Sequence, residues 1–203
     1  NGKGSTLSFL KNALVGNGFK VGVFTSPSIN GLMGHIFCND EEIAEEIFIE
    51  LLNKIYPFII TLDEIDHHPT EFEIITALAF DYFSIYTDIT LIETGMGGRE
   101  DTTNCFQPIL SIITNIDKDH TSFLGDTITE IAYHKAGIIK ENTPVIIGEV
   151  NEDAFSVLLQ EITTKNVTVY RMGEQFNYLT LNISPTNQSF IWSNNSEKQI
   201  EVT

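Results

Sequence analysis

The chain has 203 residues, 42% of them hydrophobic, and carries 28 Asp+Glu against 11 Lys+Arg, a formal net charge of −17. That hydrophobic share, with 14 Phe, supports a packed core and excludes a disordered chain. The acidity excludes a basic face for nucleic acid or an anionic membrane, so neither is expected as a partner, and any anionic ligand must be met by locally placed cations or a metal.

The chain opens on Asn1-Gly2-Lys3-Gly4-Ser5-Thr6, a glycine-rich turn that runs straight into an apolar helical pattern. This reads as the tail of a phosphate-binding loop. Backbone N–H groups and the helix N-terminus cradle an anion, Lys3 reaches the outer phosphates, and a hydroxyl from Ser5 or Thr6 sits near a metal. The usual motif closes G-K-[ST]; here Gly4 intervenes, and both termini read as cut. Residues 7–15 predict a helix stopped by Gly16-Asn17-Gly18, and Lys20 to Thr25 a buried strand turning at Ser26-Pro27-Ser28. Loop is predicted to about Asn39, with Asp40 capping a helix that places Ile43, Ile47, Phe48, Leu51 and Ile55 on one side. Thr61 to Pro69, with His67-His68, reads as a polar surface loop.

A long helix is predicted over Glu71 to Tyr86 and a strand over Asp88 to Glu93, followed by the glycine-rich loop Thr94 to Asp101. Ile109 to Ile116 predicts a strand ending at Asp117-Lys118-Asp119-His120. Thr127 and Glu130 form a capping box for a helix to about Lys140. A strand at Val145 to Ile147, a helix over Glu152 to Thr164 and a strand at Val167 to Tyr170 complete the alternation. It implies an α/β fold with a mainly parallel sheet and helices on both faces, in which ligands bind beyond the carboxyl ends of the strands. Ser26, Glu93 and the 117–120 segment all fall at such ends. After Tyr170 the runs Phe176 to Ile183, Ser189 to Ser193 and Glu197 to Val202 predict short antiparallel strands. Cys38 and Cys105 lack metal-ligand spacing and point to thiols in a reducing cytoplasm; no signal peptide or membrane span is read.

Glu93 is placed to hold Mg²⁺ directly or through water. Gly95-Met96-Gly97-Gly98-Arg99 lacks dinucleotide-fingerprint spacing, which sets a nicotinamide cofactor aside. Lys135 falls on the apolar stripe of its helix, four residues after Ile131 and three before Ile138. Burial lowers an amine's pKa, and a neutral amine takes up CO₂ to give a carbamate able to bind Mg²⁺; a lysine snorkelling to the edge is the plainer alternative.

Taken together, Asn1-Gly-Lys-Gly-Ser5, Thr25-Ser-Pro27, Thr70-Glu-Phe-Glu73, Glu93 with Gly97-Gly-Arg99 through Asp101-Thr-Thr-Asn104, Asp119-His120 with Leu124-Gly125, and Lys135-Ala-Gly-Ile138 resemble the folylpolyglutamate synthase/dihydrofolate synthase family of Mur-type ATP-dependent amide ligases. The matches fall in the family's order over roughly residues 1 to 150. The resemblance implies that Asn1, Gly2, Lys3, Gly4, Ser5 and Thr6 bind ATP, that Ser26, Glu93, His120 and a carbamylated Lys135 hold two Mg²⁺, and that Lys3, His120 and Lys135 serve catalysis. It implies that Thr70, Glu71, Phe72 and Glu73 with Glu100, Asp101 and Thr102 hold the pterin substrate. Ser28, Thr102 and His134 stand where the family usually has histidine, alanine and glutamate.

The implied domains are an ATP-binding central domain over residues 1–172 and an antiparallel extension over 173–203, with a carboxyl-terminal glutamate-ligase domain outside this chain. The chain alone is then expected to be inactive, and the full-length protein a cytoplasmic monomer. The implied reaction has ATP phosphorylate a carboxylate of dihydropteroate or a reduced folate, after which the amine of L-glutamate attacks the acyl phosphate. A Mur-type ligase with a different acceptor, or a nucleotide-binding module without ligase chemistry, are the alternatives.

Overall fold

The computed structural model describes residues 2–28, 30–118, 121–196 and 198–202. Residues 2–106 and 107–203 form two compact units. The first contains α1 (Lys3–Gly16), β1 (Val21–Phe24), β2 (Ile36–Cys38), β3 (Glu41–Glu42), α2 (Glu45–Glu64), α3 (Glu71–Tyr86) and β4 (Ile89–Ile92). Its sheet runs β3-β2-β1-β4. β1 and β4 pair in parallel, from Val21 opposite Ile89 to Phe24 opposite Ile92. All four β1 residues are buried, as a continuous apolar run predicts for a covered strand. α3 starts where the sequence predicts, on a capping box between Thr70 and Glu73. Its Ile75, Leu78, Ala79 and Phe83 bury in one core with Phe24 and Ile36. Gly22 permits that contact, because a Cβ there would meet the Phe83 ring at 2.5 Å.

Three local expectations are corrected in this unit. Residues 36–42 form an antiparallel hairpin where loop is predicted, so the sheet is mixed at that edge. Asn39, at φ 56°, and Asp40 make its two-residue turn. Asp40 therefore does not cap a helix; it pairs with Lys11, and α2 begins after Ala44 instead. The cause is apolar: Ile36 and Ile43 are 0% and 2% exposed, and the fold-back lets the Ile43 N–H donate to the Ile36 carbonyl at 3.0 Å. α2 also runs through Pro57 to Glu64, past the loop predicted from Thr61. Ile55, Ile59 and Leu62 recur at helical spacing there and line a cavity of about 520 Å³ with Ile74 and Ala77 of α3.

The second unit contains β5 (Ser111–Asn115), α4 (Thr121–Leu124), α5 (Ile128–Ala136), β6 (Val145–Glu149), α6 (Glu152–Thr164) and β7 (Val169–Arg171). β5, β6 and β7 form a parallel sheet in that order. The Thr127–Glu130 capping box is present, and Ile131, Ala132, Ile147 and Leu158 are all 0% exposed in the core. Arg171 ties β7 to α6, with its guanidinium 3.6 Å from the Phe155 ring centroid and bonded to Glu152. Then β8 (Phe176–Ile183), β9 (Gln188–Asn194) and β10 (Gln199–Val202) form the antiparallel sheet that the turn-broken runs predict. Among the described residues no helix is long and apolar enough to cross a membrane.

Candidate nucleotide-binding site

Gly2 takes φ 81°, a left-handed conformation that favours glycine, and hands the chain into α1. Its carbonyl accepts from the Thr6 N–H at 3.0 Å and from the Thr6 hydroxyl at 2.8 Å. Of the two hydroxyls that the sequence offers, Thr6 thus serves its own loop and Ser5 stays exposed. Among the described residues no side chain caps the start of α1, and its first turn holds no acidic residue. A Cβ added to Gly4 would meet nothing within 4 Å. The first-turn N–H groups and the positive end of the helix dipole are therefore open to an anion.

Because β1 and β4 are parallel, their carboxyl ends share one edge of the sheet. Thr25 follows β1 and Glu93 follows β4, and the Glu93 N–H donates to the Phe24 carbonyl at 2.9 Å. The Thr25 hydroxyl donates to Glu93 Oε2 at 2.7 Å, and Lys3 Nζ stands 4.0 Å from Oε1. The Glu93 side chain is 6% exposed and faces both of these groups. Thr25 is itself held through its backbone: its N–H donates to the His35 carbonyl at 3.1 Å, and its carbonyl accepts from His35 Nδ1 at 2.7 Å. Sequence reading quoted Thr25 in the Thr25-Ser-Pro27 match but gave it no role, and no motif marks His35. Ser26 is half-buried beside Thr25.

These residues fit a hard divalent cation. The donors are oxygens, and a cationic group already faces Oε1. Mg²⁺ is commonly held by one or two carboxylates with nucleotide phosphates completing its shell. Among the described residues no group of three or more His, Cys, Asp or Glu could hold a metal.

The segments assigned to the pterin are built into the scaffold. Glu73 Oε2 accepts from the Thr70 N–H at 2.7 Å and the Thr70 hydroxyl at 2.8 Å, and the Thr70 backbone bond above all holds the Glu73 carboxyl below its usual range. Phe72 packs on Phe24, with ring centroids 5.7 Å apart, and edge-on to His35 at 6.2 Å. A Cβ at Gly95 would fall 2.9 Å from the Phe72 ring and 3.2 Å from Asp101 Oδ2. Phe72, Gly95 and Asp101 are thus brought together. Asp101 organises the glycine-rich loop: Oδ2 accepts from the Met96 N–H at 2.7 Å, and Oδ1 from the N–H and hydroxyl of Thr103. Glu71 and Glu100 are exposed, and Thr102, half-buried, opens a short 3₁₀ turn.

In the second unit Lys135 is half-buried on α5, with Ile131 and Ile139 at 0% exposure on the same helix and its exit. Asn1, Asp119 and His120, and with them part of the expected phosphate and metal sites, lie outside the described residues. The histidine pair is on the surface as expected; His68 bonds Asp63 at 2.8 Å and Asp66 at 3.2 Å.

Known proteins carry the same frame. The dihydrofolate synthase/folylpolyglutamate synthase of Bacillus subtilis is 44% identical over 164 residues, which is 79% of this chain and 38% of that protein. The folylpolyglutamate synthase of Lacticaseibacillus casei is 36% identical over 179 residues, 87% of this chain and 42% of that protein. A solved FPGS–AMPPCP–folate complex superposes with a TM-score of 0.90 at 34% identity, covering 100% of this chain and 50% of that one. The chain thus spans about two-fifths of the length of these two curated relatives. The Mur ligase middle domain matches residues 1–203, so the chain belongs to the Mur ligase middle-domain family.

Proposed function

We propose that this chain is the nucleotide-binding domain of an ATP-dependent ligase that joins L-glutamate to dihydropteroate, to a reduced folate, or to both. The observation that carries the reading is the open N-terminus of α1 beside the paired strand ends, where Lys3 faces the buried Glu93 carboxylate. The names of the relatives, and the AMPPCP and folate of the solved complex, support the choice of substrates. The reaction is assigned to the cytoplasm, consistent with the free thiols of Cys38 and Cys105.

In this reading Asn1, Gly2, Gly4, Ser5 and Thr6 cradle the ATP phosphates and Lys3 holds the outer ones. Ser26, Glu93, His120 and a carbamylated Lys135 ligate magnesium; Thr70 to Glu73 and Glu100 to Thr102 shape the pterin side. Mg²⁺, when bound, would neutralise charge growing on the transferring phosphoryl group. Lys3 does the same from the protein side and, on leaving Glu93 for phosphate, frees Oε1 for a cation. The acyl phosphate then needs protection from water until the glutamate amine attacks, which is the part assigned to a second, closing domain. Residues 1–172 and 173–203 are proposed as one central domain and its β extension, in a protein that is monomeric.

The test is ATP turnover by the whole protein with dihydropteroate or tetrahydrofolate, each with and without glutamate. Release of ADP and phosphate should require both the pterin and glutamate. Turnover indifferent to both, or driven only by a different acceptor, would overturn the assignment.

A further inference from the structure

We propose that Thr25 is a positioning residue that fixes which oxygen of Glu93 meets the metal and keeps Lys3 free for phosphate. The proposal rests on the Mg·ATP reading above. An ionised carboxylate only accepts hydrogen bonds, so the 2.7 Å contact is a Thr25 hydroxyl donating to Oε2. That occupies one oxygen and turns the other, Oε1, toward Lys3. Glu93 then presents Oε1 as its oxygen without a hydrogen-bond donor, which favours binding a small octahedral cation through that one oxygen.

The clamp is rigid at both ends. Thr25 is β-branched, which restricts its side-chain torsion, and its backbone N–H and carbonyl are both bonded to His35. The Glu93 N–H is tied to the Phe24 carbonyl, one residue before Thr25. Four hydrogen bonds thus link β1, β4 and His35 around one carboxylate.

The Lys3–Glu93 separation of 4.0 Å has the same cause. A buried carboxylate with both oxygens free would draw the ammonium into a close pair. With Oε2 committed to Thr25 and the head group held, the pair stays long and Lys3 can exchange Glu93 for phosphate at little cost. Removing the hydroxyl should therefore damage two things together: the geometry offered to the cation, and the release of Lys3. Loss of a group that orients a metal ligand typically weakens metal binding about 10–100-fold.

The experiment uses the whole protein with AMPPCP and Mn²⁺ as the probe, read by the loss of the free-Mn²⁺ paramagnetic resonance signal. Thr25→Val should weaken Mn²⁺ binding in the AMPPCP complex about 10–100-fold, and Thr25→Ser should restore it to within about threefold. In turnover, the Mg²⁺ concentration for half-maximal rate should rise with Val and fall back with Ser. Should the Val protein not fold, Ser against Ala, which differ by the hydroxyl alone, repeats the comparison. Wild-type Mn²⁺ affinity in the Val protein, or in the Ala protein, overturns the positioning role and leaves the ligase reading standing. A wild-type protein that binds Mn²⁺ no better with AMPPCP than without it overturns both.

Discussion

α1 and α3 are helices of one unit that begin in opposite ways. α3 starts on a reciprocal Thr70–Glu73 cap with Glu71 and Glu73 in its first turn, and buries six residues, Ile75, Thr76, Leu78, Ala79, Tyr82 and Phe83. α1 starts on a left-handed glycine with no side-chain cap and no acidic residue in its first turn, and among its described residues none is buried; Phe9 is 79% exposed. α3 satisfies its own N-terminal donors with its own side chains, which is what a structural helix needs. α1 leaves its donors without side-chain partners, open to water or, in the reading proposed above, to an anion. The contrast separates a helix kept for packing from one that we propose is kept for binding.

The sharpest way to break the contrast is to give α1 an acidic first turn, as α3 has. Gly4→Asp places a carboxylate in the first turn, where a Cβ meets nothing within 4 Å. A negative charge at a helix N-terminus stabilises by about 0.3–1 kcal/mol, and replacing a first-turn glycine adds a few tenths more. The same carboxylate occupies the anion position and repels phosphate. The expected outcome is an unchanged or slightly raised Tm together with loss of AMPPCP binding by at least about 100-fold, since a like charge at a few ångströms in a partly dry site costs about 3 kcal/mol or more. Calorimetry for the nucleotide and a thermal melt for the fold check the two halves. Retained AMPPCP affinity in a folded Gly4→Asp protein would remove the anion site from α1.

The second break loosens α3. Gly22→Ala puts a methyl 2.5 Å from the Phe83 ring, which is 4% exposed and hemmed in by the core. Overpacking of this kind costs about 1–3 kcal/mol. Urea unfolding should show a lower midpoint for Gly22→Ala, and Phe83→Leu in the same protein should recover part of the loss. Equal midpoints for wild type and Gly22→Ala would mean that α3 is not seated on β1 by that ring.

The two helices also differ in how plainly the sequence announced them. α3 was legible to the residue, because cap, acidic first turn and apolar periodicity agree over a long stretch. α6, Glu152–Thr164, was legible for the same reason, with Asn151 as its cap. The hairpin at 36–42 was not: three- and two-residue strands carry no period, and Asn39-Asp40 reads equally as a turn or a helix cap. In the candidate site, Lys3 was singled out from the glycine-rich loop and Glu93 from its strand-end position, and the structure brings them to 4.0 Å. The Thr25–Glu93 bond was not, because it spans 68 residues and depends on the register of two strands. Asp101 was named for the pterin side through the family resemblance alone; that its carboxylate is spent on Met96 and Thr103 only coordinates could reveal.

The smallest effect lies in the α3 cap itself and sharpens the contrast through pH. Thr70→Ala removes the hydroxyl that accepts from the Glu73 N–H and donates to Glu73 Oε2, and a lost Ser/Thr cap costs about 1 kcal/mol. Glu73 is a carboxyl whose folded pKa lies below its unfolded value, with the Thr70 backbone N–H as the leading cause and the Thr70 hydroxyl next. Its stabilisation is therefore present above the unfolded pKa and is lost as pH falls through the folded one. Glu73 is a surface group, so solvent screening keeps this share to a few tenths of a kcal/mol. The stability gap between wild type and Thr70→Ala should be widest near neutrality and should narrow as pH drops through the carboxylate range, while the backbone share of the shift survives in the variant. Glu73→Gln should flatten the gap across the same range. Urea midpoints measured at neutral pH and at successive steps below the unfolded glutamate pKa would show it, and a gap that widens on acidification would mean that the Thr70 hydroxyl acts on something other than the Glu73 carboxylate.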